Sequence, residues 1–164
     1  MVVYERAEIY TRTSKARDIY YYKQYIIMVE KELFQLLKNK IIPDLQKTEG
    51  QYSYSDATSE SFNSVIELKC RTAHYRYLLI QKDKYDKLMT NENPRYINSI
   101  PVYPYDGNSF EVYSWDLKKV PEPRWRLRRC IETTEFAPPN YVMKMVGFLD
   151  IKIGKNLTKK LFPN

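Results

Sequence analysis

Residues 64–71 read SVIELKCR, and this stretch decides the fold. In an extended strand successive side chains point to opposite faces, so Ile66 and Leu68 project from one face while Glu67 and Lys69 project from the other. The strand is otherwise apolar enough to be internal, and an acid beside an amine on an internal strand needs an explanation. The alternation therefore predicts a buried strand that carries two charged groups on one of its faces.

A helix is predicted upstream of this strand. Apolar and aromatic residues recur there at three- and four-residue spacing, at Ile19, Tyr22, Ile26, Val29, Leu33 and Leu36. This spacing is typical of one face of an amphipathic helix. We expect the helix to begin near Ser14 and to end by Lys40, because Pro43 prevents its continuation.

The remaining segments predict several strands and one short helix. A strand followed by a Ser-rich turn is expected within residues 50–62, and the strand at 74–81 is expected to lie beside the 64–71 strand. The sequence KDKYDKLM (82–89) has helical composition, and strands are predicted within YINSIPVY (96–103) and NSFEVYSWDL (108–117). This order predicts a single domain, 1–164, of the mixed α/β (α+β) class.

Asp56 precedes Glu67 by eleven positions and ends another predicted strand. A hairpin between the two strands brings the Asp56 and Glu67 carboxylates together, and converging carboxylates repel each other unless a cation lies between them. A hard divalent metal is the natural cation for oxygen ligands. Lys69 would then orient or activate a water molecule, or stabilise charge that develops on a phosphate.

This arrangement resembles the PD-(D/E)xK nuclease superfamily, whose fold is restriction-endonuclease-like. In that family a helix precedes a sheet, an Asp lies on one strand and a (D/E)-x-K motif lies on the next. The matching residues here are Asp56, Glu67 and Lys69, whereas Ser55 replaces the Pro that precedes the Asp in the family. The resemblance covers a core of about residues 15–117 and leaves a basic C-terminal extension, 118–164.

The resemblance implies an N-terminal helix packed on a central mixed β-sheet, and a metal-dependent endonuclease that hydrolyses phosphodiester bonds with Mg²⁺ or Mn²⁺. The implied metal ligands are Asp56, Glu67, the backbone carbonyl of Leu68 and, from the helix, Glu30 as first choice and Glu32 as second. Gln81, which follows the third strand, is a further candidate for contact with the site. Members that cut both strands of a duplex often dimerise, so a homodimer is compatible with the resemblance.

Composition narrows the functional classes. Lys plus Arg exceed Asp plus Glu by 27 to 20, which gives a net charge of +7 and favours a polyanionic partner. A single His leaves no His-rich zinc site, and four Gly leave no Gly-rich phosphate loop. No apolar run is long enough for a membrane span and no secretory signal is recognised, so the expected location is the cytoplasm, or the host cytoplasm for a viral protein.

The segment PRWRLRR (123–129) concentrates the positive charge. If it is extended, Arg124, Arg126 and Arg128 share a face, and with Arg129 they are candidates for binding the phosphates of a nucleic acid, DNA in preference to RNA. The alternative is a solvated edge strand whose charge prevents aggregation. Two other functions also stay open, a non-catalytic nucleic-acid-binding protein on the same scaffold and a viral or phage assembly protein.

Overall fold

The fold is described from a computed structural model, which covers residues 3–4, 25–26, 28–48, 55–102, 109–131 and 140–163. Strands and helices are mixed along these residues, and the largest sheet contains both parallel and antiparallel pairs. The predicted mixed α/β class is therefore confirmed.

The described strands are β1 (Val3–Tyr4), β2 (Tyr25–Ile26), β3 (Gln46–Lys47), β4 (Ala57–Ser59), β5 (Ser64–Cys70), β6 (Tyr77–Gln81), β7 (Asn93–Pro101), β8 (Phe110–Asp116), β9 (Arg126–Ile131), β10 (Tyr141–Asp150) and β11 (Lys155–Asn156). The described helices are α1 (Glu30–Lys40), α2 (Lys82–Met89) and α3 (Thr158–Leu161), with a 3-10 turn at Ile151–Ile153. None of these helices combines the length and the apolar character that a membrane crossing requires.

A six-stranded sheet forms the centre of the molecule, in the order β11-β8-β7-β5-β4-β3. β5 pairs antiparallel with β4 on one side and parallel with β7 on the other. Parallel neighbours need a crossover connection, and here that connection contains β6 and α2. The register places Glu67 beside Tyr96 and Lys69 beside Asn98, so both charged residues lie within the sheet and not at its edge.

A second, three-stranded sheet has the order β6-β10-β9, and both of its strand pairs are antiparallel. The prediction that residues 74–81 pair with the 64–71 strand is therefore wrong, because β7 occupies that edge of β5 and β6 pairs with β10 instead. Leu78 and Ile80 of β6 are buried in a cluster that also contains Leu149 of β10. Residues from the C-terminal part of the chain thus contribute to both sheets.

Helix α1 covers one face of β5. Leu33 and Leu37 of α1 and Ile66 and Leu68 of β5 are each at most 1% exposed and belong to one apolar cluster. This confirms the predicted division of β5, in which the even-numbered side chains face the core. The opposite face of β5, which carries Glu67 and Lys69, is directed towards α2 and β6.

The predicted helix is longer than α1. Residues 25–26 form β2, paired with β1, and the helix begins only at Glu30; the residues predicted as its first turns, 14–24, lie outside the described part of the chain. A carboxylate oxygen of Glu32 accepts the Val29 N–H at 3.2 Å, which satisfies a backbone donor that lacks a partner inside the helix. This capping contact, together with the β-branched residues before it, fixes the start of the helix.

Candidate active site on strand β5

A row of alternating charges crosses three elements of the fold. The ammonium group of Lys69 lies 2.9 Å from a carboxylate oxygen of Glu30 on α1 and 3.2 Å from Oε1 of Glu67. Lys84 of α2 also binds Oε1 of Glu67. The row Glu30–Lys69–Glu67–Lys84 therefore joins α1, β5 and α2 at one point.

Glu67 is the innermost member of this row, with no exposed side-chain surface. Its Oε1 atom faces two ammonium groups, whereas Oε2 is buried and has no hydrogen-bond partner among the described residues. A buried carboxylate oxygen without a partner is costly, and it marks a place where an external cation or donor can bind.

Asp56 lies immediately before β4 and next to this row. Its backbone N–H donates to the Ile66 carbonyl at 3.0 Å, and its carboxylate accepts the Leu68 N–H at 2.7 Å. The β4–β5 hairpin thus places Asp56 against the strand that carries Glu67 and Lys69. The prediction that Asp56 ends a strand is wrong, because Asp56 lies in a bend immediately before β4. The N–H and C=O of one strand residue point to the same side, so the Leu68 carbonyl also points to the side of β5 on which Asp56 lies.

Burial and neighbouring charge alter the pKa values at this site. Burial raises the pKa of the Glu67 carboxyl, Lys69 and Lys84 oppose this change, and the negative charge of Asp56 reinforces it. Burial lowers the pKa of Lys69, but the carboxylates of Glu67, Glu30 and Asp56 more than offset it, so the pKa of Lys69 is raised. Lys69 is therefore a cation at neutral pH, which suits it to hold a phosphate or a water molecule and not to act as a base.

A cavity of about 70 Å³ opens beside Glu67. It is lined by Glu67, Lys69, Arg71, Leu79, Ile80, Gln81, Lys84 and Tyr96. Three of these side chains are basic and one is acidic, so basic groups outnumber acidic ones in the lining of the cavity. Such a cavity is suited to bind an anionic group.

Hydrogen bonds hold three of the residues that line this cavity, Arg71, Tyr96 and Leu79, in place. The Arg71 guanidinium donates to the Asn98 side-chain oxygen at 3.0 Å, to the Tyr96 hydroxyl at 2.9 Å and to the Leu79 carbonyl at 2.7 Å. The Tyr96 hydroxyl donates to the same Leu79 carbonyl at 2.8 Å, and burial raises the pKa of this phenol, which keeps its proton. Because Leu79 belongs to β6, these bonds join the second sheet to the first at the cavity.

The structure brings some of the predicted site residues together and leaves others apart. Asp56, Glu67, Lys69 and Glu30 lie together, and Gln81 lines the cavity. Glu32 binds the Val29 N–H at the start of α1. Arg126, Arg128 and Arg129 lie on β9 of the second sheet, and Arg124 precedes that strand.

The sequence reasoning missed three residues, Lys84, Arg71 and Tyr96. Lys84 lies in the first turn of α2, three positions after Gln81, so the helical composition of 82–89 places it near a residue that the sequence already indicated. Arg71 continues the alternation of Glu67 and Lys69 by two further positions. Tyr96 has no local signal, because its place beside Glu67 follows from the pairing of β5 with β7.

Among the described residues, no group of three or more His, Cys, Asp or Glu side chains is arranged to hold a metal ion. Lys69 and Lys84 lie against Oε1 of Glu67, and the buried Oε2 atom of Glu67 has no hydrogen-bond partner among the described residues. The carboxylates of Asp56 and Glu67 are hard oxygen donors, the kind of ligand that a hard divalent cation accepts.

No protein-family model, curated protein or solved structure matches the chain. The resemblance to the PD-(D/E)xK nucleases therefore stays a prediction that depends on the residues of this chain and on their arrangement.

Proposed function

We propose that the protein is a metal-dependent nuclease that hydrolyses phosphodiester bonds. The observation that carries this proposal is the position of Glu30 of α1 and of Asp56, which precedes β4, beside Glu67 and Lys69 of β5. A restriction-endonuclease-like core agrees with the element order: helix α1, the antiparallel β3–β4–β5 strands, and a crossover into the parallel strand β7.

The proposed ligands of Mg²⁺ or Mn²⁺ are the carboxylates of Asp56 and Glu67 and the carbonyl of Leu68, with Glu30 in support. A metal held by these residues would polarise a phosphoryl oxygen of the substrate and lower the pKa of a bound water molecule. Hard oxygen donors of this kind are the set that Mg²⁺ prefers.

The cations around the cavity have separate roles in this proposal. Lys69, held between Glu67 and Glu30, orients the attacking water and stabilises the charge that develops on the phosphate. Lys84 and Arg71 line the same cavity and bind the non-bridging phosphate oxygens. Lys84 exchanges its contact with Glu67 for one with the phosphate.

The test is cleavage of supercoiled plasmid and of circular single-stranded DNA, with Mg²⁺, with Mn²⁺ and with EDTA. We expect nicking with either metal, none with EDTA, and loss of nicking in Asp56→Asn and Lys69→Ala. Asp86→Asn and Lys82→Ala are matched controls, because these two residues form an exposed i,i+4 pair on α2 and do not line the cavity. Binding of Mn²⁺, measured by calorimetry, should weaken in Asp56→Asn and not in Asp86→Asn.

A second candidate function is nucleic-acid binding without catalysis. The observation that favours it is the neutralisation of Glu67 by two lysines, an arrangement that needs no metal. Salt-sensitive binding of nucleic acid without cleavage in any metal would establish this alternative and overturn the nuclease proposal.

A further inference from the structure

The three-stranded sheet presents a surface with a distinct composition. Cross-strand partners lie side by side on one face, and the register places Arg126 beside Val146 and Val146 beside Gln81. Arg128 lies beside Lys144 on the same face, and Phe148 lies beside Leu79. We call this surface the cationic face; it carries Tyr77, Gln81, Arg126, Arg128, Lys144 and Phe148.

Two exposed arginines lie on this face. Arg126 and Arg128 alternate along β9, and both side chains are exposed to solvent. Asp150, an acid on the same face, is paired with Arg76 at 3.3 Å. The two exposed guanidinium groups suit the phosphates of a polyanion.

Exposed aromatic rings accompany these charges. Phe148 is 38% exposed and Tyr77 is 51% exposed. The Arg128 guanidinium lies 5.9 Å from the centre of the Phe148 ring, and that of Arg76 lies 5.0 Å from the centre of the Tyr77 ring. Rings beside cations are the combination that binds single strands, because unpaired bases stack on the rings while phosphates contact the cations.

The cationic face is continuous with the candidate active site. Gln81 is the last residue of the cross-strand row Arg126–Val146–Gln81, and it also lines the cavity beside Glu67. Neighbouring strands are about 4.8 Å apart, so the backbone of Arg126, two strands away, lies about 10 Å from that of Gln81. A single strand of nucleic acid bound on this face therefore reaches the cavity within a few nucleotides.

We propose that the cationic face binds single-stranded nucleic acid and leads it to the candidate active site. The bases stack on Phe148 and Tyr77, and the phosphates contact Arg126 and Arg128. The inference rests on the proposed nuclease function for its direction, from the face to the cavity, and it specifies the substrate of that function as a single strand.

The test measures binding in EDTA, where cleavage plays no part. Fluorescein-labelled dT20, rU20 and a 20-base-pair duplex are titrated by fluorescence polarisation at several salt concentrations. We expect dT20 or rU20 to bind at least about 10-fold more tightly than the duplex, and the tighter of the two identifies the preferred sugar. In Arg126→Ala/Arg128→Ala the slope of log K against log salt should fall by about 1.4, since each phosphate contact contributes about 0.7 on single strands.

The opposite face of the same sheet offers a matched control. The Tyr141 ring lies there with its centre 4.7 Å from the Arg129 guanidinium, just as Phe148 lies beside Arg128. Phe148→Leu should weaken binding about 10-fold through loss of stacking, whereas Tyr141→Leu should leave it unchanged. Thermal unfolding of each variant verifies that it is folded.

Equal losses of binding in Tyr141→Leu and Phe148→Leu, or tighter binding of the duplex, would overturn the inference. Cleavage that persists while the cationic-face variants bind normally would overturn it and leave the nuclease function standing. Single-strand binding that depends on this face, without cleavage in any metal, would support the binding face and reject the nuclease.

Discussion

Strands β5 and β9 both alternate charged and apolar side chains, yet they lie in opposite surroundings. β5 is flanked by β4 and β7, and its charged residues Glu67 and Lys69 meet opposite charges from α1 and α2. β9 is an edge strand, where Arg126 and Arg128 are exposed and Leu127 is 58% exposed as well. The same pattern therefore produces an enclosed, paired set of charges in one place and an open, like-charged surface in the other.

The comparison shows that position within a sheet determines what a charged strand does. Charges enclosed by other elements must be compensated within the chain, since burial of an uncompensated charge is costly. Charges on an edge strand are hydrated, and a partner from outside can compensate them. In the proposed function, β5 carries residues that take part in hydrolysis, and β9 carries residues that bind the nucleic acid.

The largest effect is expected when one charge is removed from the row Glu30–Lys69–Glu67–Lys84. Glu67→Gln should reduce cleavage about 10³-fold, because it removes a proposed metal ligand and leaves Lys69 and Lys84 without their shared counter-charge. The loss should be independent of salt, whereas Arg126→Ala should reduce cleavage mainly at high salt. Initial rates at 50 and 200 mM salt measure both effects, with Glu60→Gln, an exposed acid, as the control. A loss that disappears at low salt would contradict an enclosed role for Glu67.

A second effect concerns the attachment of the β9–β10 pair. A Cβ atom at Gly147 would lie 2.4 Å from the Cβ of Pro123 and 2.9 Å from the Trp125 ring, so Gly147→Ala forces these residues to move. We expect the free energy of unfolding to fall by about 1–3 kcal/mol, measured by urea denaturation. Met145→Ala on the same strand, where the side chain is 42% exposed, should change it by less than about 0.5 kcal/mol. Equal changes in the free energy of unfolding for the two variants would show that Pro123 and Trp125 move aside without loss of stability.

A smaller effect separates an enclosed ion pair from an open one. In a double-mutant cycle of Glu67→Gln and Lys84→Met we expect a coupling energy of about 1–2 kcal/mol, because Glu67 is fully buried. The exposed pair Lys82–Asp86 should couple by about 0.3–0.5 kcal/mol. Unfolding in urea measures both cycles. If the two couplings are equal, the enclosure of Glu67 adds nothing to its pairing.

The smallest effect is a pH dependence in the hairpin that places β5. Asp44 accepts the Ser61 N–H at 2.7 Å and the Ser59 and Ser61 hydroxyls at 2.8 Å each. The backbone bond from Ser61 is the main cause that lowers the pKa of Asp44 to about 2, from 3.8. A lowered folded-state pKa stabilises the protein above pH 3.8, and this contribution disappears as the pH falls through about 2.

Asp44→Asn should therefore lower the urea midpoint at pH 7, and the difference from the wild type should diminish between pH 4 and pH 2. Asp86→Asn serves as the comparison, since its carboxylate contacts the Lys82 side chain on the surface of α2. A midpoint difference that stays constant down to pH 2 would show that the charge of Asp44 is not what holds the hairpin.

Much of the central sheet follows from local sequence. The alternation in SVIELKCR predicts β5 with its two unlike faces, and KDKYDKLM coincides with α2. Asp56 lies against β5 because a hairpin joins the neighbouring strands β4 and β5, a short-range connection that spacing can indicate.

The rest of the fold depends on long-range pairing. The partner of β6 lies more than sixty residues further along the chain, in β10, and no local pattern selects it over β5. The start of α1 is set by the contact between Glu32 and the Val29 N–H, which competes with a periodic pattern that extends upstream. Lys84 and Tyr96 join the site only because α2 and β7 pack where they do.

One feature of the cavity links its two neighbouring surfaces mechanically. Gln81 is the last residue of β6 and Lys82 the first of α2, so no flexible connector separates the strand from the helix. Gln81 and Lys84, which both line the cavity, are therefore positioned by one continuous segment of chain. Since β6 is an outer strand of the sheet that carries the cationic face, this segment contributes side chains to that face and to the surroundings of Glu67.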